Sequence, residues 1–176
     1  MIVAVPAADQ PYFTSTVEVG SVPGLEPVTA DIAVKRGIMI RDRVTTGPEG
    51  RPVRARVAYY ADMANPRASE AQGFGGPVHH VATGPDGSFA VAALPGRGWL
   101  AVRGGDAFLT ADKRADFEPK PNGGPTGWLP AAPSPLFPYQ FHAVVPVEPR
   151  DDERELRRDV VLMPRAAAAA GRGRMP

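Results

Sequence analysis

Proline or glycine interrupts this chain at such short intervals that long helices are disfavoured along its length. Proline has no N–H to give to a helical turn, and glycine surrenders too much backbone freedom when held in one. The sequence holds 21 prolines and 19 glycines, more than a fifth of its 176 residues, against an average of roughly 12% for the two together. Hydrophobic residues still make up 43%, enough to bury a core. A packed chain punctuated in this way is expected to be many short strands joined by tight turns.

Alternation supports strands. Thr14–Val19 alternates and ends at Gly20; Ser21–Leu25 is turn chemistry, and Val28–Val34 alternates again. Residues 37–44 form a strand candidate closed by Gly47-Pro48-Glu49-Gly50. After it, Val53, Ala55, Val57 and Tyr59 fall on one face and Arg54 and Arg56 on the other, the period of two that a half-buried strand requires.

The turn then recurs. Val81-Ala82-Thr83-Gly84-Pro85-Asp86-Gly87 repeats Val44-Thr45-Thr46-Gly47-Pro48-Glu49-Gly50. Proline presets φ at the first central turn position, the acidic side chain can accept from nearby N–H groups, and glycine accepts positive φ. Ser88–Leu94 follows as a strand, Pro95–Gly98 as a turn and Trp99–Arg103 as the next strand, which makes a meander. Two copies with divergent surroundings do not make a solenoid.

The remaining chain suggests three regions. Residues 1–11 read as a flexible N-terminal segment, 12–164 as a β-sandwich domain, and 165–176 as a low-complexity, disordered tail. Inside the domain, 104–138 reads as an irregular proline-rich surface excursion. Tyr139–Val147 alternates as a strand, Pro149–Asp159 is a mixed-charge stretch read as a solvated loop, and 159–163 is the last strand candidate. The expected fold is all-β: an antiparallel Greek-key β-sandwich of about seven strands with a long Pro/Gly-rich loop. Its expected core is Ile38, Ile40, Val44, Val53, Val57, Tyr59, Phe89, Val91, Trp99, Ala101, Phe141 and Val145.

The stretch from Pro23 to Val102 resembles carboxypeptidase-regulatory-like domains, which are transthyretin-like β-sandwiches common in large bacterial envelope proteins. The residues that carry the resemblance are Gly37 before a strand, Val44 at its end, the run Gly50–Val57, Thr83-Gly84-Pro85-Asp86-Gly87-Ser88-Phe89, and the Leu94-Pro95-Gly96 turn. It covers about half of the chain. It implies a non-catalytic spacer or adhesive module of a larger, extracytoplasmic protein. The implied partners are neighbouring domains of the same polypeptide or other envelope proteins.

Charge and composition narrow the chemistry. With 20 basic and 19 acidic side chains, the net charge of +1 provides no global field for nucleic acid or an anionic membrane. The absence of cysteine removes disulfides, thiol nucleophiles and thiolate metal sites, and leaves the redox compartment open. No run approaches the roughly 18 apolar residues of a membrane span. Met1–Pro6 lacks the basic start of a signal peptide, so the expectation is a piece of a longer protein that carries its export signal elsewhere.

No catalytic, metal or cofactor site is expected, and a metal-dependent enzyme on a transthyretin-like scaffold stands as the remote alternative. His79 and His80 are adjacent on an extended segment, where neighbouring side chains point to opposite faces, and His142 is remote in sequence. Intradiol ring-cleaving dioxygenases share the sandwich architecture and hold iron with two tyrosines and two histidines. Their His-x-His spacing and tyrosine spacing are not met by Tyr59, Tyr60, Tyr139 and these histidines. Transthyretin-like hydrolases of urate derivatives end in a Tyr-Arg-Gly-Ser signature that this chain lacks. No serine lies in a Gly-x-Ser-x-Gly elbow. Asp151, Asp152, Glu153 and Glu155 are interleaved with Arg150, Arg154, Arg157 and Arg158, which would neutralise a calcium loop. Neither Gly73–Gly76 nor Gly123-Gly124 leads into a phosphate-binding helix.

Aromatic residues in the excursion and just after it are what remains for binding. Trp128, Phe137 and Tyr139 could stack on sugar faces or anchor a protein partner, which makes a polysaccharide-binding module the alternative function. The plainer reading of the same rings is that they staple the long loop to the sandwich.

Overall fold

The computed structural model describes residues 1–7, 9–20, 29–62, 65–71, 79–111 and 141–165. The described chain is a β-sandwich, with one 3-10 turn at Ala68–Ala71 as its helical element. Its strands are β1 (Ile2–Ala4), β2 (Ser15–Val17), β3 (Ile38–Thr46), β4 (Arg51–Pro52), β5 (Arg56–Ala61) and β6 (His79–Ala82). They continue with β7 (Ser88–Ala93), β8 (Gly98–Arg103), β9 (Ala143–Val147), β10 (Glu155–Arg157) and β11 (Val160–Leu162).

One sheet is built around β3, with β7 antiparallel on one side and β10 and β11 on the other. The other sheet runs β6-β5-β8-β9, antiparallel throughout. Strands β5, β6 and β7 follow one another around the sheet edge, and β8 returns to lie beside β5. That order is a Greek key.

The last strands depart from an all-antiparallel arrangement. Both β10 and β11 run parallel to β3 and share one register, Glu155 beside Met39 and Val160 beside Val44. The Arg158 N–H donates to the Arg41 carbonyl at 3.1 Å between them. They are two halves of a single edge strand. Half of it lies in the charged stretch that the sequence suggests is a loop. Leu156 packs against the core while Glu155 and Arg157 stay exposed, an arrangement that charged edge strands adopt to discourage further pairing.

The core lies between the sheets. Ile40, Val44 and Val91 from the first meet Val57, Tyr59, Leu100 and Val102 from the second, with Val160 and Leu162 closing one side. Each such side chain, fully buried, is worth about 1.5–3 kcal/mol. Of the expected core, Ile38, Ile40, Val44, Val53, Val57, Tyr59, Phe89, Val91, Ala101 and Phe141 are buried. Val145 is partly buried against the core.

Trp99 is only partly buried, because Leu100 and Val102 are the residues of β8 that face inward. Its indole Nε1 donates to Asp62 Oδ2 at 3.3 Å. It borders a second apolar cluster of Ala58, Tyr60, Ala101 and Phe141 on the outer face of the sheet. The middle of β5 is therefore covered on both faces and is half-buried only at its start, as the unbroken run Val57-Ala58-Tyr59-Tyr60-Ala61 requires.

The two copies of the repeated turn motif share their closing geometry, although Gly47 has positive φ and Gly84 does not. The final glycines, Gly50 and Gly87, both have positive φ, 61° and 79°. Each donates its N–H to the carbonyl of the first glycine, Gly47 or Gly84, at 3.2 and 3.0 Å. Equivalent threonines make equivalent long-range bonds: the Thr46 hydroxyl donates to the Leu162 carbonyl at 2.7 Å, and the Thr83 hydroxyl to the Val53 carbonyl at 2.9 Å.

The start of the chain also differs from its reading. Ile2–Ala4 pairs with Ser15–Val17, although the sequence suggests a flexible segment over 1–11. No strand forms in 29–34, where alternation suggested one. Phe13 instead reaches the core, at 2% exposure, and its N–H donates to the Lys35 carbonyl at 2.8 Å.

Candidate functional site

Two arginines face each other where β5 begins and β8 ends. Arg56 and Arg103 are direct cross-strand partners in the antiparallel ladder, so both side chains leave the same outer face. Arg54 lies two residues earlier on that face and, like the other two, is exposed. Like charges directly opposed destabilise a sheet by about 0.2–1 kcal/mol. None of the three has an ion-pair partner among the described residues, whereas Arg41, Arg43, Arg51, Arg67 and Arg97 each meet a carboxylate.

These arginines line an open cleft of about 670 Å³, completed by Ala55, Ala82, Thr83, Pro85, Gly104 and Gly105. Among the described residues no carboxylate lines it. Its walls are fixed by short bonds. Thr83 Oγ1 accepts the Ala55 N–H at 2.8 Å and donates to the Val53 carbonyl, while the Thr83 N–H donates to the Ala55 carbonyl at 2.9 Å. On the far wall the Gly104 N–H donates to His142 Nδ1 at 2.9 Å, which places the imidazole proton on Nε2.

His142 is buried, and its ring meets Phe108 edge-on at 6.1 Å. Burial holds its pKa below the ordinary histidine value, reinforced by Arg103 and Arg165 and opposed by Asp106. A neutral imidazole therefore supports the cleft wall. A second cleft, of about 400 Å³, also contains arginines, but Arg41, Arg43 and Arg157 there are paired with Glu155 or Asp86.

The residues singled out in the sequence are distributed as follows. Trp128, Phe137 and Tyr139 lie outside the described residues. His79 and His80 occupy consecutive positions of β6, opposite Tyr59 and Ala58. Among the described residues no three His, Asp or Glu side chains gather as a metal site would need. Arg150 is bonded within its own loop, to Asp152 at 3.3 Å and Glu153 at 3.5 Å. Among the described residues no helix is long and apolar enough to cross a membrane.

The arginine cleft was only half visible beforehand. Arg54 and Arg56 stand out by alternation, but Arg103 joins them only through the β5–β8 pairing, which no local pattern announces.

No known family model matches this chain, and neither does any curated protein sequence. Among solved structures, the major pilin subunit BcpA of Bacillus cereus is similar with a TM-score of 0.40 and 8% identity. The match covers 93% of this chain and 41% of the pilin chain. The chain thus spans less than half the length of that pilin, and the sandwich itself is defined by the strand pairings above.

Proposed function

We propose that this chain is a non-catalytic β-sandwich spacer or adhesive module of an envelope-associated, extracytoplasmic protein. Neighbouring domains of the same polypeptide would be its partners. The observation that supports this reading is the parallel pairing of β3 with β10–β11. Strand β3 begins at Ile38, and β11 ends at Leu162, which lies beside Thr46 at the far end of β3. These two ends of the parallel ladder are thus separated by roughly 26 Å of strand, at about 3.3 Å per residue.

Tension applied through those two ends runs along both strands, so the hydrogen bonds of the ladder are loaded together in shear. An antiparallel pair pulled from one end would instead open bond by bond. The carboxypeptidase-regulatory-like resemblance fits the same role. Its marker residues supply the start of β3 at Gly37, the β4–β5 run, the β6–β7 turn and the β7–β8 turn.

The chain has no cysteine, so single-molecule handles can be placed at will. Handles at Lys35→Cys and Met163→Cys pull along the parallel ladder. Handles at Lys35→Cys and Arg97→Cys pull β3 and β7 from their shared end, where Ile38 pairs with Ala93. The first geometry is expected to unfold at a force several times that of the second. Equal forces, or a weaker first geometry, would overturn the reading.

A further inference from the structure

We propose that the cleft of Arg54, Arg56 and Arg103 binds an acidic polysaccharide, a chain carrying carboxylate or sulfate groups on successive sugars. This does not depend on the spacer reading, since the cleft is a property of one end of a single sheet.

The first argument is the absence of internal neutralisation. Arg56 and Arg103 are placed opposite each other, Arg54 follows on the same face, and none meets a carboxylate among the described residues. Each guanidinium offers a planar fork of donors that matches a carboxylate or sulfate in bidentate fashion. An oxyanion between them turns a repulsive arrangement into a favourable one.

The second argument is shape. Ala55, Ala82, Gly104 and Gly105 keep the cleft floor low, and a Cβ built at Gly105 would meet nothing within 4 Å. Arg54 stands one pleat repeat, about 6.6 Å, along the strand from Arg56. Cations set in succession along an open trough suit an extended chain better than one enclosed ion.

The third argument separates glycan from nucleic acid. Among the described residues no aromatic side chain lines the cleft to stack on a base, and a net charge of +1 adds no wider field for a phosphate backbone.

Isothermal titration of the full chain tests this with five probes: an oligogalacturonate hexamer, a heparin hexasaccharide, a neutral cello-oligosaccharide, inorganic phosphate and a short oligothymidylate. Binding of at least one acidic oligosaccharide is expected, weakened by salt, with none of the neutral one. The triple variant R54Q/R56Q/R103Q should lose about tenfold or more in affinity with its melting temperature unchanged or raised. Arg150→Gln should change nothing.

Should the triple variant fold poorly, the single variants Arg56→Gln and Arg103→Gln are each expected to weaken binding about two- to fivefold. Unchanged affinity in all variants, or no binding of either acidic oligosaccharide, would overturn the proposal. So would phosphate binding as tightly as the oligosaccharides, which would mark a small-anion site, or oligothymidylate binding more tightly than both.

Discussion

The ring of Tyr59 fills the space that a side chain at position 98 would need. A Cβ built on Gly98 would lie 2.5 Å from the ring Cε2 and 2.6 Å from the phenol oxygen. The ring cannot step aside, because it is almost fully buried between the sheets and its hydroxyl donates to the Leu94 carbonyl at 3.4 Å. Gly98→Ala is therefore expected to destabilise the fold by about 1–3 kcal/mol through overpacking. Gly105→Ala, which enters open space, should stay within about 0.5 kcal/mol of the parent. Urea unfolding of the two variants checks the difference.

A second expectation concerns the β7–β8 turn. Asn65 is 4% exposed and holds this turn from outside the hairpin. Its Nδ2 donates to the Pro95 and Arg97 carbonyls, both at 2.9 Å, and its Oδ1 accepts the Arg67 N–H at 2.9 Å. Asn65→Ala leaves these groups without their partner, and each one that stays buried costs about 1–3 kcal/mol. Thermal unfolding should show a clear loss, and hydrogen exchange should report faster opening around residues 95–98.

The paired threonines of the repeated turn make a graded comparison. Thr46→Val removes one donor, to the Leu162 carbonyl, and should cost about 1 kcal/mol. Thr83→Val removes a donor to Val53 and an acceptor for Ala55, so it should cost about twice as much. Equal losses in denaturant titrations would contradict this account of the two sites.

Stability should also depend on pH through His142. Its folded pKa lies below the ordinary value of 6.5, mainly because burial disfavours the charged ring. The unfolded chain then binds the proton more readily, so stability rises with pH across this window. The contribution is complete above about pH 6.5 and is lost as pH falls from there through the folded-state pKa. Urea midpoints at pH 7.5 and 5.5 should differ in that direction, and His142→Gln should flatten the difference. Glu70, held low by its hydrogen bond to Lys35, and Asp86, held low by Ser88, act in a more acidic window. Their contributions are lost as pH falls through the carboxylate range.

What was legible beforehand is local, and what was not is relational. Period-two alternation identified the start of β5 and β9, while turns carrying proline and glycine marked off β3, β7 and β8 as apolar strands. Alternation alone overreached at 29–34, where Val34 is 41% exposed and no strand among the described residues pairs with it. It underreached at β10, where one leucine between a glutamate and an arginine gives no readable period. The parallel direction of β10–β11 depends on which strand they meet, and the assembly of Arg54, Arg56 and Arg103 depends on register. The apolar outer face holding Ala58 and Ala101 could have been suspected, since strands buried on both sides lose their alternation.

The pairing of β3 with β10–β11 also bears on how the molecule comes into being. Thr46 and Leu162 are 116 residues apart in sequence, so the contact that completes one sheet must wait until every strand between them has been synthesised. At about 5–20 residues per second, β3 would wait roughly 6 to 23 s on the ribosome with one edge unsatisfied. Contacts of such separation also slow folding after release. Through that interval the exposed edge is open to pairing with another chain. Cellular yield should therefore be governed by how β3 is shielded during translation more than by the stability of the finished sandwich.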